Sequence, residues 1–244
     1  MNYKQKPFAV FDIDGTLIRW QLYHLLAEKF IQNGYFNQEQ IELIEKFKNK
    51  WLTRDSRESF NEYEKELVIN MELTFPKIPA DKYKEMSVEV FKENKDKTYT
   101  YTVNLINDLK RKGYLLFLIS GSMEEIVEQI ANYFNFDDFA GSKLIINKNK
   151  IDRHDLVMTH QNKALILNEF IKKYSASKTG SIGVGDTDGD IEMLKLVEKP
   201  IAFNPNLRFY KFAKLNHWDI VIERKNVVYT LNYSDGKYQL ANSD

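Results

Sequence analysis

Three short, mainly apolar runs constrain this chain more than any other feature: Phe-Ala-Val-Phe at 8–11, Leu-Leu-Phe-Leu-Ile at 115–119 and Gly-Ser-Ile-Gly-Val at 180–184. Each stops on small or polar residues. The first ends on a turn containing Gly15, the second on Ser120-Gly-Ser122 ahead of a helical stretch at 123–134, and the third on Gly185-Asp186 ahead of a helical stretch at 191–197. A run that is apolar along its whole length suits a strand buried on both faces, as in a parallel sheet. In a right-handed, doubly wound sheet such turns all fall on the carboxyl edge, where ligands bind. The polar residues of the three turns are therefore expected to converge.

At 244 residues there is room for one α/β domain and an inserted module. Residues 143–146 and 150–152, flanking Asn147-Lys-Asn149, predict a hairpin, and 200–203 and 218–221 predict further strands. Helices are expected at 101–112, 162–174 and 207–215. Between the first two strands lie about 80 residues, 19–98, with helical periodicity and charged faces, as in 38–50 and 56–71. A plain crossover is much shorter, so this segment reads as a small helical cap over the crevice, hinged near 18–21 and 97–99. The expected architecture is α/β: a doubly wound, Rossmann-like parallel-sheet core at 1–18 and 99–224, the cap at 19–98, and a C-terminal hairpin or frayed tail at 225–244.

Composition narrows the function classes. Lysine plus arginine (35) balances aspartate plus glutamate (35), which argues against a nucleic-acid partner. Without cysteine there are no disulfides, thiolate metal sites or cysteine nucleophiles, which fits the cytoplasm. No apolar run approaches the roughly 18 residues that span a bilayer, and 8–11 is too short for a signal-peptide core. A monomer or homodimer with no membrane partner is expected.

Asp12-Ile-Asp-Gly-Thr16 puts two carboxylates two residues apart directly after a strand, oriented to the same side. Paired acids need a cation or a proton, although an acid-acid-glycine run alone is also an ordinary polar turn. Gly185-Asp-Thr-Asp-Gly-Asp190 adds three acids after another strand, with Asp186 placed to complete a magnesium site with Asp12. The glycine offset and terminal glutamate of a calcium loop do not line up there. Ser120-Gly121 lies ahead of a helix, where a hydroxyl and free N–H groups hold a phosphate or simply cap the helix. Lys163 opens a helix and by itself reads as a solvated lysine. His24, His154, His160 and His217 have no metal-ligand spacing.

Taken in order, residues 8–17, 115–120, Lys163 and 183–190 resemble the four motifs of the haloacid-dehalogenase superfamily. Asn162-Lys163 and Pro200-Ile-Ala-Phe-Asn-Pro205, followed by Ala213 and Trp218, resemble its phosphoserine-phosphatase-like branch, and the resemblance spans roughly 6–222. It implies a magnesium-dependent phosphatase acting on a small phosphorylated metabolite. Asp12 would be the nucleophile that forms an aspartyl-phosphate, and Asp14 the general acid/base. Ser120, the Gly121 N–H and Lys163 would grip the phosphoryl oxygens. Asp12, Asp14 and Asp186 would serve the metal, with Asp190 orienting a bound water or Lys163 from behind. Two positions depart from the branch: Gln21 stands where a glutamate meets the substrate amine, and Gly189 replaces an asparagine. Both weaken phosphoserine as the substrate. Trp20, Tyr23, Arg54 and Arg57 could face the leaving group, or be core and solvated residues. The same constellation also allows a phosphotransferase, or a protein that binds a phosphate ligand without turnover.

Overall fold

With no polar position between residues 8 and 11, this run has no face to offer water, and in the computed structural model it is the central strand β1 (Pro7–Phe11), buried throughout its last four residues. The structure describes residues 5–157 and 159–241, with the backbone alone at 153–157. After β1 come α1 (Leu22–Gln32), α2 (Gln38–Leu52), α3 (Ser59–Thr74), α4 (Ala80–Asn94) and α5 (Thr100–Arg111). Next are β2 (Leu115–Met123), α6 (Glu124–Tyr133), β3 (Asp138–Asn147), β4 (Lys150–Val157), α7 (Lys163–Tyr174), β5 (Ser177–Gly185) and α8 (Ile191–Leu194). The chain closes with β6 (Lys199–Phe203), α9 (Leu207–Leu215), β7 (Asp219–Arg224), β8 (Val227–Ser234) and β9 (Lys237–Ala241). The described residues divide into a core unit, 5–21, 94–142 and 159–241, and a helical unit, 22–93 and 143–157.

In the core unit the strand order is β3-β2-β1-β5-β6-β7-β8-β9, parallel from β3 to β7 and antiparallel in the last two pairings. The chain winds outward from β1 through β2 to β3, then returns to the other side of β1 as β5. The order thus reverses between β1 and β5, and a crevice opens at their carboxyl ends. Phe8, Val10, Phe117 and Ile119 face one layer, packed with Leu167 and Phe170 of α7, Met193 and Leu194 of α8, and Phe209 and Ala213 of α9. Phe117 sits 5.6 Å from the Phe8 ring and 5.3 Å from Phe170. Each such side chain contributes roughly 1.5–3 kcal/mol by leaving water. Alternate residues face the opposite layer, where α5 buries Thr102, Ile106 and Leu109 at i, i+4 and i+7, and α6 buries Ile126, Val127, Ile130 and Ala131.

Three boundaries differ from the sequence reading. β2 does not stop at 119 but continues to Met123, because after a register shift it pairs again with β3 at Ser142. The helix after it consequently starts at Glu124, and the helix after β5 is the short α8, preceded by a 3-10 turn at Asp188–Asp190. Of the two alternatives for the C-terminus, the hairpin forms: β8 and β9 extend the sheet, and the Tyr238 hydroxyl donates to the carbonyls of Ala213 (3.1 Å) and Trp218 (2.9 Å).

The helical unit holds α1–α4 and the arm formed by β4 with the second half of β3. A reciprocal capping box starts α2: Asn37 Oδ1 accepts from Gln40 N (2.9 Å) and Gln40 Oε1 from Asn37 N (3.1 Å). Phe30 packs edge-on to Phe75 at 5.6 Å, and Trp51 stacks on Tyr63 at 5.4 Å. The arm joins α4 through Asn149, whose carbonyl accepts from Ala80 N (3.2 Å) and whose Oδ1 accepts from Asp81 N (3.0 Å). The units divide at 21/22 and 93/94, whereas the sequence reading draws its limits at 18/19 and 98/99. The reason is backbone pairing: Arg19 N donates to Lys97 O (2.9 Å) and Tyr99 N to Leu17 O (3.0 Å), tying both segments to the core. Among the described residues no helix is long and apolar enough to cross a membrane.

Candidate active site

The ladder between β1 and β5 continues one residue past β1, with Asp12 N donating to Val184 O at 3.0 Å. The chain then turns tightly on the Ile13 carbonyl, which accepts from the N–H groups of Thr16, Leu17 and Ile18. Gly15 makes this turn possible: its φ is +77°, and a β-carbon there would collide with the Asp186 carboxylate. Asp12, 5% exposed, receives the Lys163 ammonium on Oδ1 at 2.6 Å. The same ammonium meets Asp190 Oδ1 at 2.7 Å. The other Asp190 oxygen accepts from Asp186 N and Thr187 N, each at 3.1 Å. Asp190 therefore holds both Lys163 and the turn that presents Asp186. Oxygens of Asp12, Asp186 and Asp190 all lie within 4.8 Å of one another.

Strand alternation puts Ser120 and Ser122 on one side of β2, and both hydroxyls donate to Asp14 Oδ2, at 3.1 and 2.6 Å. Ser120 Oγ also accepts from Ser122 N at 3.0 Å. Neither serine caps α6, whose N-cap is Met123. The Asp14 carboxylate is thus engaged with two hydroxyls, beside the cluster of Asp12, Asp186 and Asp190. Next to Ser120, the Gly121 carbonyl accepts from Ser142 Oγ at 2.8 Å, which in turn accepts from Thr159 N at 3.2 Å. This fixes the strand end against the turn that precedes Lys163.

The charges are poorly balanced. Burial pushes the Asp12 carboxyl up, Lys163 pulls against it, and Asp190 and Asp14 push further, to about 7. Burial, then Asp12 and Asp190, raise Asp186 well above the usual carboxylate range. Burial works against the Lys163 ammonium, but Asp12 and Asp190 outweigh it and hold the amine charged beyond the ordinary lysine range. Three buried or partly buried carboxylates share one ammonium, and the donors this cluster offers a ligand are all oxygens. That donor set fits a hard divalent cation such as magnesium.

In the sequence Ser122 reads only as a helix cap, and nothing singles out Thr187 or Asn206. Asn206 N donates to the Asp186 carbonyl at 2.9 Å. The period-2 repeat of hydroxyls at 120 and 122 is the available signal for Ser122. Gln21 is half-buried, and Gly189 is exposed; a β-carbon added at 189 would meet only Thr187 Oγ1, at 3.5 Å, so sterics do not exclude a side chain there. Arg54 and Arg57 line an open groove within the helical unit with Trp51, Ser56, Ser59 and Phe60. Trp20 is 42% exposed; Tyr23 is half-buried, its hydroxyl pushed up by burial and then by Glu72. His24 is buried between Phe60 and Tyr63, His217 stacks on Tyr233, and His160 is exposed beside Gly121. The His154 side chain lies outside the described residues.

Residues 9–195 match the family model of haloacid dehalogenase-like hydrolases. Phosphoserine phosphatase SerB2 of Mycobacterium tuberculosis is 24% identical over 221 residues, covering 89% of this chain and 49% of its own length, so this chain spans about half of that relative. Phosphoserine phosphatase of Methanocaldococcus jannaschii is 24% identical over 233 residues, covering 94% of this chain and 98% of its own. A solved structure of a phospho-aspartyl intermediate analogue of phosphoserine phosphatase shares the fold, with a TM-score of 0.63 at 21% identity over 91% of this chain and 96% of that one.

Proposed function

Since the chain belongs to the haloacid dehalogenase-like hydrolase family, we propose that it is a phosphatase that hydrolyses a small phosphomonoester through an aspartyl-phosphate on Asp12. The observation that carries this reading is the division of labour between two carboxylates two residues apart. Asp12 faces an ammonium at 2.6 Å, whereas Asp14 faces two hydroxyls. Groups of one type in two environments take different roles.

In the first step Asp12 attacks phosphorus in line; the new O–P bond forms as the bond to the leaving oxygen breaks. Asp14 gives its proton to that oxygen. In the second step Asp14 takes a proton from the water that attacks the acyl phosphate, releasing inorganic phosphate and restoring Asp12. Lys163, the Ser120 hydroxyl and the Gly121 N–H hold the non-bridging oxygens while charge spreads over them. Asp190 keeps Lys163 and the Asp186 turn in place. Asp12, Asp14 and Asp186 would hold magnesium. When bound, the ion supplies the positive charge that lets a phosphate dianion approach this acidic pocket. The resemblance to the phosphoserine-phosphatase-like branch puts a glutamate facing an amine at position 21; the neutral amide of Gln21 suits a leaving group without that ammonium.

Phosphate release from para-nitrophenyl phosphate and a panel of metabolite phosphomonoesters, with magnesium, tests the activity. Asp12→Asn should lower kcat by about a thousandfold or more while leaving the fold intact. In acid-quenched wild-type turnover, mass spectrometry should find a phosphoryl group on the peptide carrying Asp12. No release from any substrate would reject the phosphatase reading, and full activity of Asp12→Asn would reject the nucleophile.

A further inference from the structure

Glu223, at the end of β7, is a buried carboxylate that this chemistry does not use; its side chain is 3% exposed. Its two oxygens accept from the first turn of α5, Oε1 from Thr100 N at 3.1 Å and Oε2 from Tyr101 N at 2.9 Å. The N-cap residue of that helix, Tyr99, provides no side-chain cap. A negative charge therefore reaches the helix N-terminus from a distant strand instead of from the preceding residue.

Three further bonds make this more than a cap. Glu223 Oε1 pairs with Arg19 Nη2 at 3.4 Å, and Arg19 Nε donates to Thr98 O at 2.7 Å, so the segments at 17–19 and 97–99 share one anchor. The Glu223 N–H donates to Asn204 Oδ1 at 2.9 Å. Asn204 is held at φ +42°. Pro205 then leads to Asn206, whose N–H holds the Asp186 carbonyl at 2.9 Å and whose Nδ2 donates to Asp188 Oδ1 at 2.8 Å. The proline leaves little freedom between the two asparagines.

We propose that Asn204 is a positioning residue: its side-chain oxygen, held by the Glu223 main-chain N–H, locks the 204–206 loop that holds Asp186, and so sets the affinity of the cluster around Asp12 and Asp186 for its divalent cation. This rests on the reading of that cluster as a metal site. Outer partners of this kind typically change metal affinity by about 10- to 100-fold.

The test uses the full chain and magnesium alone, titrated by calorimetry and by the magnesium-dependent rise in melting temperature. Asn204→Gly removes the side-chain bond while keeping the left-handed backbone, Asn204→Ser carries the test if the glycine variant does not fold, and Glu223→Gln, which keeps the main-chain N–H, is the control. The Asn204 variants should raise the magnesium half-saturation concentration by about tenfold, with a smaller change in kcat at saturating magnesium, and Glu223→Gln should leave it at the wild-type value. If the Asn204 variants only lower the metal-free melting temperature and keep the wild-type half-saturation, the positioning role is overturned and the Asn204 bond serves the fold alone. Asp186→Asn separates the two failures. If it too binds magnesium like wild type, the metal-site reading falls and this proposal with it; if it alone loses binding, only the positioning role falls.

Discussion

Asp186 shows most plainly what this site costs the fold. Its carboxylate is pressed against Gly15, close to Asp12 and Asp190, with a pKa held well above 3.8 by burial first and then by those neighbours. The folded protein therefore binds a proton that the unfolded chain releases near pH 4, and in the absence of metal, stability declines as pH rises from there through the folded pKa. Asp186→Asn removes the effect. In EDTA the variant should match wild type at about pH 4 and be the more stable of the two near pH 7.5, as measured by thermal denaturation across that range; a variant less stable than wild type at the higher pH would contradict this. Acids, glycine and lysine at the strand ends are legible because their backbone context is local: an apolar run, then a turn. Ser122 is not, because a hydroxyl at a strand end and a hydroxyl at a helix start look alike in sequence. Glu223 is not legible at all, since its partner Arg19 is 204 positions away.

Among the elements, β1, β2 and β5 are legible because strands buried on both faces must be apolar at successive positions. The end of β2 is not, since its last residues are kept in the sheet by a register shift against β3 that no local pattern encodes. Phe117 is where this sheet is most sensitive. It is fully buried and in ring contact with Phe8, Phe170 and Tyr174. Phe117→Ala should cost about 3–5 kcal/mol, read as a lower urea midpoint with an unchanged slope. A shift under about 1 kcal/mol would mean that α7 collapses into the space.

At the scale of the molecule, the helical segment is legible as a block, but not its second contributor. The sequence reading takes the hairpin at 143–152 as part of the core, whereas β4 and the second half of β3 group with α1–α4. Asn149 is the local reason: at φ +62° it bonds Ala80 and Asp81 at the start of α4. Asn149→Gly keeps that backbone and removes the side-chain bonds. It should speed hydrogen exchange at the α4 amides by about fivefold, from roughly 1 kcal/mol of lost bonding, and leave the β1 and β5 amides unchanged. A unit assembled from two stretches of chain separated by residues 94–142 cannot be exchanged between relatives as one cassette. A chimera that imported 22–93 alone would inherit helices without their arm, so recombination of this module requires four crossovers in register. Drift in its helices is correspondingly constrained by a hairpin encoded far downstream.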